Sequence, residues 1–171
     1  MNLNLRLFFT INGAQGKSKW LDAFGRAGAE FVIIAMLAWY AVSVFIDRGG
    51  DPWDMIAPFV FLGAFGLLGW GINFLLAELV REPRPRVKFP ETKLLFQPLE
   101  DWKAFPSDHA MFSWFIFFAA ALLNLPGFEM LLPMAMWVSW GRVFAGVHYP
   151  QDIAGGMAVA AAVAVGGFLL I

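Results

Sequence analysis

The stretch Met55–Ala77, MIAPFVFLGAFGLLGWGINFLLA, runs for 23 residues without an Asp, Glu, Lys or Arg. At ~1.5 Å per helical residue, about 20 such residues cross a ~30 Å hydrocarbon core. Four further stretches lack those charges: Phe31–Ile46, Ala110–Phe128, Met130–Gly141 and Ile153–Ile171. Phe31–Ile46 reaches a full crossing with Glu30 and Asp47 at its ends. Met130–Gly141 does so only by continuing through the apolar Val143–Val147, which sets Arg142 inside a membrane helix. A charge there is costly and, by default, marks a functional site facing the protein interior. The expectation is a single domain over 1–171: an all-α integral membrane bundle of five transmembrane helices, or six with a re-entrant crossing.

The composition agrees. Hydrophobic residues make up 60% and charged residues 15%, with mean hydropathy +0.65. Soluble domains carry about 25% charge. There is no cysteine, which excludes a disulfide scaffold, a thiol enzyme and a Cys-ligated metal. A net charge of −1 gives no basic excess for nucleic-acid binding. A soluble helical bundle would show a polar stripe on each helix. Ile153–Ile171 offers only Gly and Ala as relief from bulk, and Gly155, Gly156, Ala160, Ala164 and Gly167 suit close helix contact in lipid.

The N-terminal region, 1–28, reads differently. Trp20, Leu21, Phe24, Ala27 and Phe31 share a helical face, while Asp22, Arg26 and Glu30 form an i, i+4 stripe behind Ser18 as N-cap. That pattern predicts an amphipathic helix lying at the membrane interface.

Five crossings bring the loops at about 79–107 and 146–152 to one side. Three polar clusters stand there: Arg81-Glu-Pro-Arg84-Pro85-Arg86, then Pro106-Ser107-Asp108-His109, then Arg142 with His148 and Asp152. Both histidines of the chain belong to this set. Arg84 and Arg142 carry permanent charge on planar donor forks that match phosphate oxygens. Ser107 precedes a helix whose first free N–H groups, at Asp108 and His109, suit an anion, with the Ser107 hydroxyl as a further donor. Asp152 lies four residues after His148, so its carboxylate can hold one imidazole nitrogen protonated and leave the other free to attack. His109 then protonates the leaving group. The set suits displacement at phosphorus through a phosphohistidine, with no cofactor and no metal. A two-histidine metal site with Asp152 and Asp108 is the competing use of these atoms, and the arginines would repel its cation.

At these residues the chain resembles the type 2 phosphatidic acid phosphatase (PAP2) superfamily. That family's signature reads Lys-x6-Arg-Pro, then Pro-Ser-Gly-His, then Ser-Arg-x5-His-x3-Asp. The resemblance implies His148 as nucleophile, Asp152 as its orienting group and His109 as general acid. Arg84, Arg142 and Ser107 would hold the phosphoryl oxygens. The chain departs at three positions: Ala77 fills the Lys slot, Asp108 replaces Gly, and Gly141 replaces Ser. Arg81 and Arg86 are the candidate replacements for the missing cation, and Asp108 needs a compensating donor beside a phosphate.

The Pro-Ser-Asp-His and Val-His-Tyr-Pro-x-Asp forms resemble the bacitracin-resistance branch of bacterial undecaprenyl-diphosphate phosphatases. The implied reaction converts undecaprenyl diphosphate and water to undecaprenyl phosphate and phosphate in the bacterial plasma membrane. Alternatives are a phosphatase of phosphatidylglycerophosphate, phosphatidic acid or lipid A, or a non-enzymatic lipid-binding or transport protein. The implied partners are a polyprenyl or other lipid phosphate and the bilayer; nothing in the sequence bears on oligomeric state. Sidedness is in conflict. The branch implies the extracytoplasmic face, yet 11 of the 12 Lys and Arg lie on the site's side, which the positive-inside rule would put in the cytoplasm.

Overall fold

A computed structural model describes residues 2–49 and 52–170. Every regular element among them is helical. A short α1 (Leu3–Asn12) is capped by Asn2, whose side chain accepts from the Leu5 N–H at 3.0 Å. Then come α2 (Lys19–Arg26), a π-helical turn (Ala27–Phe31) and α3 (Val32–Arg48). Next are α4 (Pro52–Val80), the single turn α5 (Pro85–Lys88), α6 (Asp108–Leu122), α7 (Leu131–Phe144) and α8 (Pro150–Phe168).

Each of the five anticipated apolar stretches forms a helix: α3, α4, α6, α7 and α8. Three helical runs have the length and hydropathy to cross a membrane: Lys19–Arg48, the run that starts at Pro52, and Pro150–Phe168. The helices α6 and α7, at 15 and 14 residues, reach only ~22 Å. They stop short of their expected ends because of local turn chemistry. Asn124 and Gly127 take left-handed backbone angles (φ 51° and 72°) around Pro126, ending α6. Gly146 does the same after α7 (φ 79°). Arg142 therefore sits in the last turn of α7 rather than deep in a span, where burying its charge costs less.

The interfacial helix expected near residues 18–30 is a correction. Residues 19–31 run without a break into α3, forming one 30-residue helix from Lys19 to Arg48. The reason is packing by small residues. A Cβ on Gly141 of α7 would come within 2.6 Å of the Ala29 amide nitrogen and 2.8 Å of the Gly28 carbonyl carbon. Only glycine permits that approach, and the π-helical turn lies at the crossing. The separate N-terminal element is α1, whose buried Phe8 packs on Val143 and Tyr149.

At the centre, α6 touches α3, α4, α7 and α8. Its Met111, Phe115, Ile116 and Ala119 meet Met36 and Tyr40 of α3, Phe61 of α4, Val138 of α7 and Val163 of α8. The outer faces stay apolar: Ile34, Val60, Leu67, Leu68, Leu75 and Val165 are all exposed, as suits contact with lipid tails. At one end, the start of α6 is tied to the start of α8 by the Ser107 N–H donating to the Asp152 carbonyl at 3.0 Å.

The Gly141 crossing yields a test. Gly141→Ser, which restores the signature residue, should destabilise the protein by ~1–3 kcal/mol through overpacking. Thermal unfolding in detergent, compared with the parent, reads it.

Candidate active site

The three polar clusters converge at one end of the bundle around a cavity of about 610 Å³. Its walls include Arg84, Asp108, His109, Arg142 and His148. Trp70 and Phe74 of α4, Glu30 of the π-helical turn, and Phe96, Glu100 and Lys103 of the long loop between α5 and α6 also line it.

Arg84 follows α4 at the N-cap of α5, where Pro85 starts the turn. Its Nε donates to the Glu100 carbonyl (2.5 Å) and its Nη1 to the Val147 carbonyl (2.8 Å). Nη1 also lies 3.2 Å from Nε2 of His148. Arg142 is buried, donates from Nη1 to the Ala29 carbonyl (3.1 Å) and lies over the Phe96 ring at 5.5 Å. Its Nε is buried without a partner. Among the described residues, neither guanidinium pairs with a carboxylate. Two cations thus face one cavity with their charge unspent.

The same contacts fix the state of His148. Arg84 has no lone pair, so Nε2 must be the acceptor, and the proton resides on Nδ1. Nδ1 donates to the Ala104 carbonyl at 2.8 Å. The Asp152 carboxylate, expected to be its principal holder, stands farther away at 3.5 Å. That carboxylate instead accepts from the Tyr149 N–H at 2.7 Å, capping α8. Burial, with Arg142 and Arg84 next in weight, drives the His148 pKa well below the ordinary imidazole value. His148 is therefore neutral, with its lone pair on the cavity side.

His109 enters from the first turn of α6 and also lines the cavity. Asp108, at the first position of α6, accepts from Asn73 Nδ2 (2.8 Å) and Lys103 Nζ (2.7 Å). These supply the compensating donors that its replacement of Gly requires. Ser107 is fully buried behind the wall, its hydroxyl accepting the Ala110 N–H at 3.4 Å as the cap of α6. Asp152 is likewise behind His148 rather than on the cavity.

Arg81 is a second correction. It turns outward at φ 48° and pairs with Glu78 at 2.7 Å, away from the cavity. Arg86 is also exposed and bonds Gln97 at 3.1 Å. Neither replaces the missing lysine. Sequence reasoning missed Lys103, Asn73, Glu30, Phe96 and the Ala104 carbonyl. For Asn73, a lone amide in a membrane helix was the available signal; Ala104 acts through its main chain, which leaves no trace in residue identity.

An apolar helical bundle thus gathers these groups at one mouth. The chain belongs to the PAP2 superfamily, matched over residues 55–171. It is 28% identical over 159 residues to the Bacillus subtilis (strain 168) protein named undecaprenyl-diphosphatase BcrC, covering 92% of this chain and 79% of that one. By structure it is similar to Aquifex aeolicus LpxE (TM-score 0.75, 24% identity), over 99% of this chain and 96% of that one. It is also similar to a transmembrane PAP2-type phosphatidylglycerolphosphate phosphatase from Bacillus subtilis (TM-score 0.66, 20% identity), over 99% and 87% of the two chains. These two likenesses concern the fold.

His148 gives a pH prediction. An ordinary imidazole is half-protonated near pH ~6.5, whereas the folded His148 should remain neutral at that pH, as read by NMR of 15N-histidine-labelled protein with His109→Gln to assign the signal. Because the unfolded chain takes up the proton at the ordinary value, stability should fall as pH drops below ~6.5.

Proposed function

We propose that this protein is an undecaprenyl-diphosphate phosphatase, hydrolysing the lipid diphosphate to undecaprenyl phosphate and inorganic phosphate. The observation that carries the reading is the pair of guanidinium groups, Arg84 and Arg142, left without carboxylates beside a neutral imidazole. Such a pair accepts a phosphoryl group bearing two negative charges.

The chemistry follows from the placement of atoms. His148 Nε2 attacks the terminal phosphorus while Arg84 and Arg142 hold its oxygens. The N–P bond forms as the bridging P–O bond breaks, and His109 gives its proton to the departing lipid monophosphate. Water then attacks the phosphohistidine, His109 takes a proton from it, and inorganic phosphate leaves with His148 restored. The Ala104 carbonyl, with Asp152 beyond it, stabilises the imidazolium character that develops on His148. No step calls for a metal, so turnover should persist in a strong chelator.

A lipid tail has somewhere to lie. One to three turns farther from the mouth, on the helices that carry Glu30, Trp70 and His109, an apolar groove of about 470 Å³ runs between α3, α4 and α6. It is lined by Ile33, Leu37, Phe59, Gly66, Phe112 and Ile116, among others. Glycines at 63 and 66 keep it open on α4. A chain whose diphosphate sits in the polar cavity can follow this groove into the bilayer. The choice of an undecaprenyl chain rests on the likeness to BcrC.

We place the protein in the bacterial plasma membrane with its mouth on the extracytoplasmic face, where the spent carrier is released. Eight of the cations on that side have assigned roles in the fold or the site: Arg26, Arg81, Arg84, Arg86, Lys88, Lys93, Lys103 and Arg142.

His148→Ala and His109→Ala should each abolish phosphate release from undecaprenyl diphosphate while the protein stays folded; near-normal turnover by His148→Ala would defeat the covalent route. The parent, given phosphatidylglycerophosphate, phosphatidic acid and lipid A in parallel, should prefer the polyprenyl diphosphate, and a preference for glycerolipid monophosphates would overturn the substrate. The chain has no cysteine, so Leu99→Cys at the exposed rim reports sidedness. A membrane-impermeant maleimide should label it in intact spheroplasts; protection until lysis would put the mouth inside.

A further inference from the structure

Lys103 is the one cavity-lining cation to which neither its sequence context nor the proposed mechanism gives a part. Its side chain is only 9% exposed, and among the described residues its ammonium makes one hydrogen bond, to Asp108 Oδ2 at 2.7 Å. An ammonium group carries three donors. One is spent on Asp108, and two remain in a cavity shared with Arg84, Arg142, His109 and His148. Asp108 does not depend on it alone, since Asn73 donates to the other carboxylate oxygen at 2.8 Å. Burying a lysine to serve a carboxylate that already has a donor is costly. A buried lysine with spare donors is instead matched to an anion that arrives from outside.

The backbone around Lys103 is held as tightly as that of the arginines. The Arg84 N–H donates to the Asp101 carbonyl (2.9 Å), and the Ala104 N–H donates to the Glu82 carbonyl (2.8 Å). The next carbonyl, that of Ala104, holds His148 Nδ1. Lys103 is therefore fixed in register with Arg84 on one side and His148 on the other. Its Nζ lies 5.6 Å from the Phe74 ring centre, against α4. Asn73 and Ala77 occupy one buried face of that helix, a turn apart. Lys103 thus reaches from the loop to the α4 side of the cavity, which Trp70 and Phe74 line.

We propose that Lys103 is a phosphate-binding residue of this site, bridging Asp108 and the substrate's phosphate oxygens and supplying from the loop a third cation beside Arg84 and Arg142. Asp108 is its positioning residue: it holds the ammonium in place and offsets part of its charge. This deepens the reading given under the proposed function and rests on it for the substrate, but binding of inorganic phosphate tests it separately.

The experiment compares the parent, Lys103→Met, Lys103→Arg and the double variant Lys103→Met/Asp108→Asn in detergent. Titration calorimetry with inorganic phosphate is run beside turnover of the diphosphate lipid. Loss of one charge-assisted contact should weaken phosphate binding roughly tenfold to a hundredfold, raise KM in step, and be largely rescued by Lys103→Arg. The double variant leaves no unpaired buried charge, so it keeps the test alive if Lys103→Met fails to fold; it too should bind phosphate more weakly. Parent-like phosphate affinity in either folded variant would overturn the proposal. A parent that binds phosphate but releases none from any lipid defeats the phosphatase reading instead, and leaves the Lys103 comparison intact.

Discussion

The structure depends on holding two guanidinium groups at the mouth of an apolar bundle without neutralising them. Arg84 is held by the carbonyls of Glu100 and Val147, and Arg142 by that of Ala29. Main-chain oxygens fix the geometry and leave the formal charge intact, whereas a carboxylate partner would have consumed it. Each carbonyl is supplied by a different segment. The loop before α6, the turn after α7 and the π-helical turn before α3 must therefore all reach the same place. The long connection between α5 and α6, the truncated α7 and the glycine crossing with Gly28 serve that requirement.

The five apolar helices and the convergence of Arg84, His109, Arg142 and His148 were legible because charge-free length and fixed residue spacing are one-dimensional signals. The ends of α6 and α7 were less so: hydropathy ran on past Leu122 and Phe144, while Asn124, Gly127 and Gly146 turned the chain. The amphipathic stripe from Asp22 to Glu30 was real, yet it belongs to a helix continuous with α3. Its apolar face, with Trp20, Phe24 and Phe31, stays exposed, while α7 is met by the small residues Gly25, Gly28 and Ala29. Arg81 was misread because adjacency to Arg84 in sequence says nothing about direction once a left-handed residue intervenes.

The three departures from the signature have structural counterparts. Gly141 stands where any Cβ would strike the backbone of Gly28 and Ala29. Asp108 is compensated on both oxygens, by Asn73 and Lys103. Ala77 is wholly buried on the α4 face that also carries Asn73. Lys103 could not be singled out from sequence, since a lysine in a polar loop is ordinarily solvated, and its enclosure depends on contacts far along the chain.

The hydrogen bond from Arg84 to His148 Nε2 has a consequence for selectivity. In the proposed mechanism the lone pair that attacks is the one that accepts from Arg84. Only a ligand that draws the guanidinium toward itself unveils it. Anions that engage Arg84 would thus arm the ring as they dock, whereas neutral electrophiles drifting in from the bilayer would meet it sheathed. Recognition and activation are then a single event.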